Sequence, residues 1–129
     1  MAVRTFPVSG AQPLISNGLG ALQKELDQNS SRVKDVVAAT LKGAAYVRQN
    51  PQEAVKISAK YVPGLDDSQK SADALEVLQA TIPMLQPTGK AGASDVAAWQ
   101  SMARFLESQG QLPKAVDINR VVSNAYLPS

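Results

Sequence analysis

The 129-residue chain contains no cysteine and no histidine. Without cysteine it forms no disulfide, offers no thiolate nucleophile and holds no cysteine-ligated metal, and its redox compartment stays open. Without histidine it lacks the usual general base and the commonest transition-metal ligand. No Ser–His or Cys–His pair can be assembled, so no catalytic residue, no metal site and no cofactor is expected. Aromatic residues are scarce, with three Tyr, two Phe and the single tryptophan Trp99. Long apolar runs are missing too, so no stretch is expected to span a bilayer. Met1-Ala2-Val3-Arg4-Thr5-Phe6-Pro7 lacks the apolar core of a signal peptide. An exported protein of this kind is expected to carry its signal upstream of Met1.

Charge of one sign is also lacking. Thirteen basic and eleven acidic residues leave a formal charge of +2, and they are scattered singly rather than in blocks. That pattern is a solvated mixed-charge surface, without the footprint of a nucleic-acid partner. A hydrophobic fraction of 44% and the absence of long polar tracts predict a folded chain. Its length predicts one domain, residues 1–129.

What is present is helical periodicity. Residues 1–22 stand apart: Val3-Arg4-Thr5-Phe6 alternates like a short strand, broken by Pro7, Gly10 and Pro13. Leu14 to Ala21 reads as a second extended stretch, and Leu22 to Leu26 as a single helical turn. From residue 29 to 127 five helices are expected, near 30–49, 51–61, 67–82, 95–109 and 118–125. Val33, Val36, Val37, Thr40, Leu41, Ala44 and Val47 form the stripe of the first. Asn29 or Ser30 is its expected cap, and Asn50, Asp66, Ser94 and Asp117 the caps of the other four. Pro51 suits a first helical position, and Glu53 approaches a capping box.

Three local patterns invite a functional reading and fail it. Pro87-Thr88-Gly89-Lys90-Ala91 begins like a phosphate loop, but Met84 replaces the upstream glycine and Ala91 the Ser or Thr. Asn17-Gly18-Leu19-Gly20 opens like a dinucleotide fingerprint, but Gln23 stands at its third glycine. Asp66-Asp67 are adjacent, so they do not face each other on a helix and read as caps. Trp99, in a stripe with Met102 and Leu106, reads as a packing residue.

The order of landmarks along the chain carries more than any one of them. Val33-Lys34-Asp35-Val36-Val37-Ala38-Ala39-Thr40-Leu41-Lys42-Gly43 is followed by Asn50-Pro51-Gln52-Glu53-Ala54-Val55. Trp99 with Met102, Phe105 and Leu106 comes next, then Gly110, Val116-Asp117 and Asn124-Ala125-Tyr126-Leu127. This order, over nearly the whole chain, resembles the C-terminal portion of the periplasmic solute-binding proteins of ABC importers. The branch resembled is the one serving nitrate, alkanesulfonates, taurine and thiamine-pyrimidine precursors.

The resemblance implies a mainly α chain of about five helices with short N-terminal extended segments, a fragment of a two-lobed α/β protein that closes on its ligand by a hinge. Residues 1–22 then correspond to a crossover and 29–127 to the helical part. It implies a small polar or anionic solute and an ABC permease as partners of the full-length parent, which works in the periplasm or outside the cell. Asn17 and Gly18, in the crossover, are the residues it brings to the ligand. The chain alone is expected not to be ligand-competent, and its uncovered stripes are expected to drive homodimerisation. The alternative is an autonomous helical protein-interaction module. A related eukaryotic pyrimidine-forming enzyme of this fold requires histidine and cysteine, so that activity does not carry over.

Overall fold

The computed structural model describes Ile15 and residues 17–85, 89–112 and 115–129. Among them are six α-helices, one 3-10 turn and no strand. The helices are α1 (Gln23–Gln28), α2 (Ser30–Gln49), α3 (Pro51–Ser58), α4 (Ser68–Thr81), α5 (Val96–Ser108) and α6 (Ile118–Val121), with the 3-10 turn at Ile82–Leu85. The mainly helical reading holds, and the turn expected at Leu22 to Leu26 is the short helix α1. The expected strand Val3–Phe6 lies outside the described residues. Residues 17–22 reach α1 without regular structure.

The helix ends are where local chemistry and expectation part. Asp67 rather than Asp66 caps α4, its Oδ1 accepting from the N–H groups of Gln69 and Lys70 at 3.0 Å each. Asp95 rather than Ser94 caps α5, accepting from Ala97 and Ala98 at 2.9 and 3.3 Å. In both cases the last residue with extended backbone before the helix is the aspartate, and only that position aims its side chain at the free N–H groups. Asp117 caps α6 as expected, accepting from Asn119 N–H at 3.1 Å.

Asn29 and Asn50 stand at the N-cap positions of α2 and α3 without capping them. Their amides turn back instead: Asn29 Nδ2 donates to Glu25 Oε2 and Asn50 Nδ2 to the Tyr46 carbonyl. At Asn50 this closes the preceding helix, and Pro51 needs no cap for the N–H it lacks. Glu53 pairs with Lys56 at 3.7 Å rather than completing a capping box.

Two helices stop short of their expected ends. α3 ends at Ser58 and the chain turns through residues 59–66. Pro63 offers no N–H and disfavours helical geometry at Val62. α6 ends because Val122 is extended, with φ −118 and ψ 131. α5 ends as expected at Gly110, whose φ of +68 permits a Schellman closure. Gly110 N–H bonds to Glu107 O and Gln111 N–H to Leu106 O, each at 2.9 Å.

The helices pack in sequence order, α1 on α2, α2 on α3 and α3 on α4, while α5 holds α6. Ala54 and Val55 of α3 are buried in the first group, and Ala103 of α5 and Ile118 of α6 in the second. No residue of α2 or α4 is buried. Val36, on the stripe of α2, stays 52% exposed, and Val77 of α4 66%. The apolar stripes form as the periodicity predicts, but their neighbours cover them only in part.

Candidate functional site

The two helical groups and the segment before α1 border an open cavity of about 720 Å³. One wall is Ile15 and Asn17 to Gly20. A second is Val37, Thr40 and Leu41, which share one face of α2 through their spacing of three and four. The third runs from Gly92 to Asp95 and on to Ala98 and Trp99 in the first turn of α5. The fourth is the C-terminal segment, through Val121 to Ser123, Tyr126 and Leu127. The volume falls within the range of small-molecule sites.

Local geometry explains why the third and fourth walls meet. Gly92 has φ +77, and a Cβ there would lie 2.8 Å from Leu41 Cδ2 and 3.1 Å from Leu127 Cδ2. The missing side chain lets Leu41 of α2 and Leu127 of the C-terminal segment close over the backbone. Beside it, Asn124 Oδ1 accepts from Ser94 N–H at 2.8 Å, and Asn124 Nδ2 donates to Ser94 O at 2.9 Å. One side-chain amide thus satisfies both backbone groups of a residue thirty positions away.

The cavity is largely apolar, with neutral polar groups at Asn17, Thr40, Ser94 and Ser123. The Thr40 hydroxyl donates to the Val36 carbonyl at 2.8 Å, which leaves it an acceptor for anything in the cavity. Among the described lining residues there is no lysine or arginine. Asp95 is the sole carboxylate there, and it occupies the N–H groups with which the N-terminus of α5 would otherwise receive an anion. The described residues contain no cluster of acidic side chains arranged to hold a metal.

Asn17 and Gly18, the residues expected at the ligand from the sequence, both line this cavity. Trp99, read from the sequence as a packing residue, is half-buried and lines it too. Tyr126 was not singled out for the site, although it belongs to the last of the landmark motifs. Its place on the wall depends on a fold-back of the C-terminal segment that no local periodicity announces. Asp66 and Asp67 lie outside the cavity. Gly89 to Gly92 form bends and turns, as expected of a loop, while Pro87 and Thr88 lie outside the described residues.

Residues 2–54 match the family model described as NMT1/THI5 like. That span contains Asn17 and Gly18, the whole of α2 and the Asn50-Pro51 junction. Over 119 residues the chain is 29% identical to the riboflavin-binding protein RibY of Chloroflexus aurantiacus, an alignment covering 89% of this chain. The chain spans about a third of that relative's length, 34%. No solved structure matches it. The chain is thus similar over residues 2–54 to NMT1/THI5-like proteins and over most of its length to part of a riboflavin-binding protein.

Proposed function

We propose that the cavity is part of the solute site of an ABC importer's binding component, and that its solute is an uncharged, flat heteroaromatic molecule. The observation that carries this reading is the composition of the walls. An oxyanion such as nitrate or a sulfonate is held by cations or by free helix N-terminal N–H groups. Here no lysine or arginine is among the described lining residues, and the α5 N-terminus is filled by its own Asp95. Trp99 and Tyr126 instead supply two aromatic rings, and Asn17, Thr40, Ser94 and Ser123 supply neutral polar groups. Of the polar or anionic solutes the resemblance implies, the walls favour the polar, uncharged kind. The riboflavin named for the relative has such a ring system. Asn17 and Gly18 are the proposed ligand contacts from the crossover segment. As part of such a protein the chain would act in the periplasm or at the cell exterior, beside a permease.

The cavity is open, so binding to this chain alone is expected to be weak, roughly 0.1–1 mM. Trp99, the single tryptophan, gives one indole N–H resonance and therefore an unambiguous reporter. Titration with riboflavin is expected to move that resonance, while nitrate and taurine leave it in place. Movement with nitrate or taurine overturns the ligand class. No movement with any of the three overturns the cleft as a solute site and favours the helical interaction module, for which the exposed apolar side chains of α2 and α4 speak.

A further inference from the structure

Asn124 does not line the cavity, yet the five lining residues Val121, Val122, Ser123, Tyr126 and Leu127 flank it in sequence. They belong to a segment held at two places. At its start Ile118 is buried where α6 packs on α5. At its far end the Asn124 side chain pairs with the backbone of Ser94 through two hydrogen bonds, and Leu127 lies over Gly92 beside Leu41. Between these points the chain has left the helix, since Val122 is extended. A four-residue helix and an extended segment cannot hold a wall in place through their own backbone hydrogen bonds.

We propose that Asn124 is a positioning residue for the solute cleft, latching the C-terminal segment against Ser94 so that Tyr126 and Leu127 form its wall. This rests on the cleft being a solute site. The carboxamide suits the task because it presents one acceptor and one donor side by side, the complement of a single residue's N–H and C=O. An aspartate keeps the acceptor but turns its second oxygen towards the Ser94 carbonyl, where two acceptors repel. An alanine leaves both Ser94 groups to water. Asn124 is exposed, so its loss acts on the wall more than on folding.

The test compares the whole chain with Asn124→Ala, Asn124→Asp and Asn124→Gln, using riboflavin as probe. Circular dichroism is expected to show the same helicity in all four. Asn124→Ala should weaken riboflavin binding about tenfold, read from the Trp99 indole resonance. It should also raise the fast backbone mobility of residues 121–127 in heteronuclear NOE measurements. Asn124→Gln, with the same amide on a longer stem, should recover part of both. Asn124→Asp should bind as poorly as Asn124→Ala at neutral pH. It should regain affinity as the introduced carboxyl protonates near pH 4, because a carboxylic acid again offers one donor and one acceptor. Unchanged affinity and mobility in Asn124→Ala, with the wild type binding riboflavin, overturn the latch. A wild type that does not respond to riboflavin while Asn124→Ala loosens residues 121–127 upholds the latch as a structural device and overturns the solute site beneath it.

Discussion

At Gly92 the backbone turns through φ +77, and the space where a side chain would begin is filled by Leu41 and Leu127. Two separate penalties therefore meet in Gly92→Ala. The left-handed backbone costs about 1–2 kcal/mol for any residue with a Cβ. Intruding on Leu41 Cδ2 at 2.8 Å adds overpacking on the order of 1–3 kcal/mol unless the leucines move apart. A loss of about 2–5 kcal/mol in chemical denaturation is expected. A loss under about 0.5 kcal/mol would show that the contact between α2 and the C-terminal segment does not persist in solution. Gly18 and Gly20, on the opposite wall, have no atom within 4 Å of a built Cβ. Alanine there is expected to fold normally.

At the scale of the helix, each N-terminus that is capped uses an aspartate directly before the first helical residue, at 67, 95 and 117. The neighbours Asp66 and Asp67 allow a paired comparison within one turn of chain. Asp67→Ala removes both bonds to Gln69 and Lys70 and is expected to cost about 1 kcal/mol. Asp66→Ala, with no cap bond to lose, should stay within about 0.5 kcal/mol of the wild type. Thermal melts of the two variants decide it, and equal losses would place the cap elsewhere. The sequence limits α4 to within a residue but does not choose between adjacent aspartates. That choice depends on which of them keeps an extended backbone as the turn from Gly64 enters the helix.

For the whole molecule, the informative quantity is what stays uncovered. Four apolar residues are buried among those described, none of them larger than isoleucine, while Leu22, Val36, Tyr61, Val77 and Val121 are each more than half exposed. Contiguous apolar patches beyond a few hundred Å² are unusual on soluble monomers. Self-association is therefore expected, most simply a two-fold dimer that uses one open face twice. Light scattering should report about twice the chain mass of 13.6 kDa, falling on dilution. Val36→Lys with Val77→Lys should shift that balance toward monomer without loss of helicity. A wild-type chain that stays monomeric at high concentration would count against these faces as contact surfaces.

The sequence by itself determined where helices form and the resemblance they carry. Period 3.6 stripes, prolines, glycines and cap residues act over a turn or two of chain, so Ser30 to Gln49, the Asn50-Pro51 junction and the stop at Gly110 were legible locally. Asn17 and Gly18 were placed at a ligand by resemblance alone, and the cavity wall includes them. Tertiary structure decided what depends on residues far apart in sequence. It joined Leu41, Gly92 and Leu127, paired Asn124 with Ser94, and set Trp99 on a cavity wall instead of inside a core. None of these has a local signature, because a helical stripe specifies which face turns inward and leaves open what lies opposite.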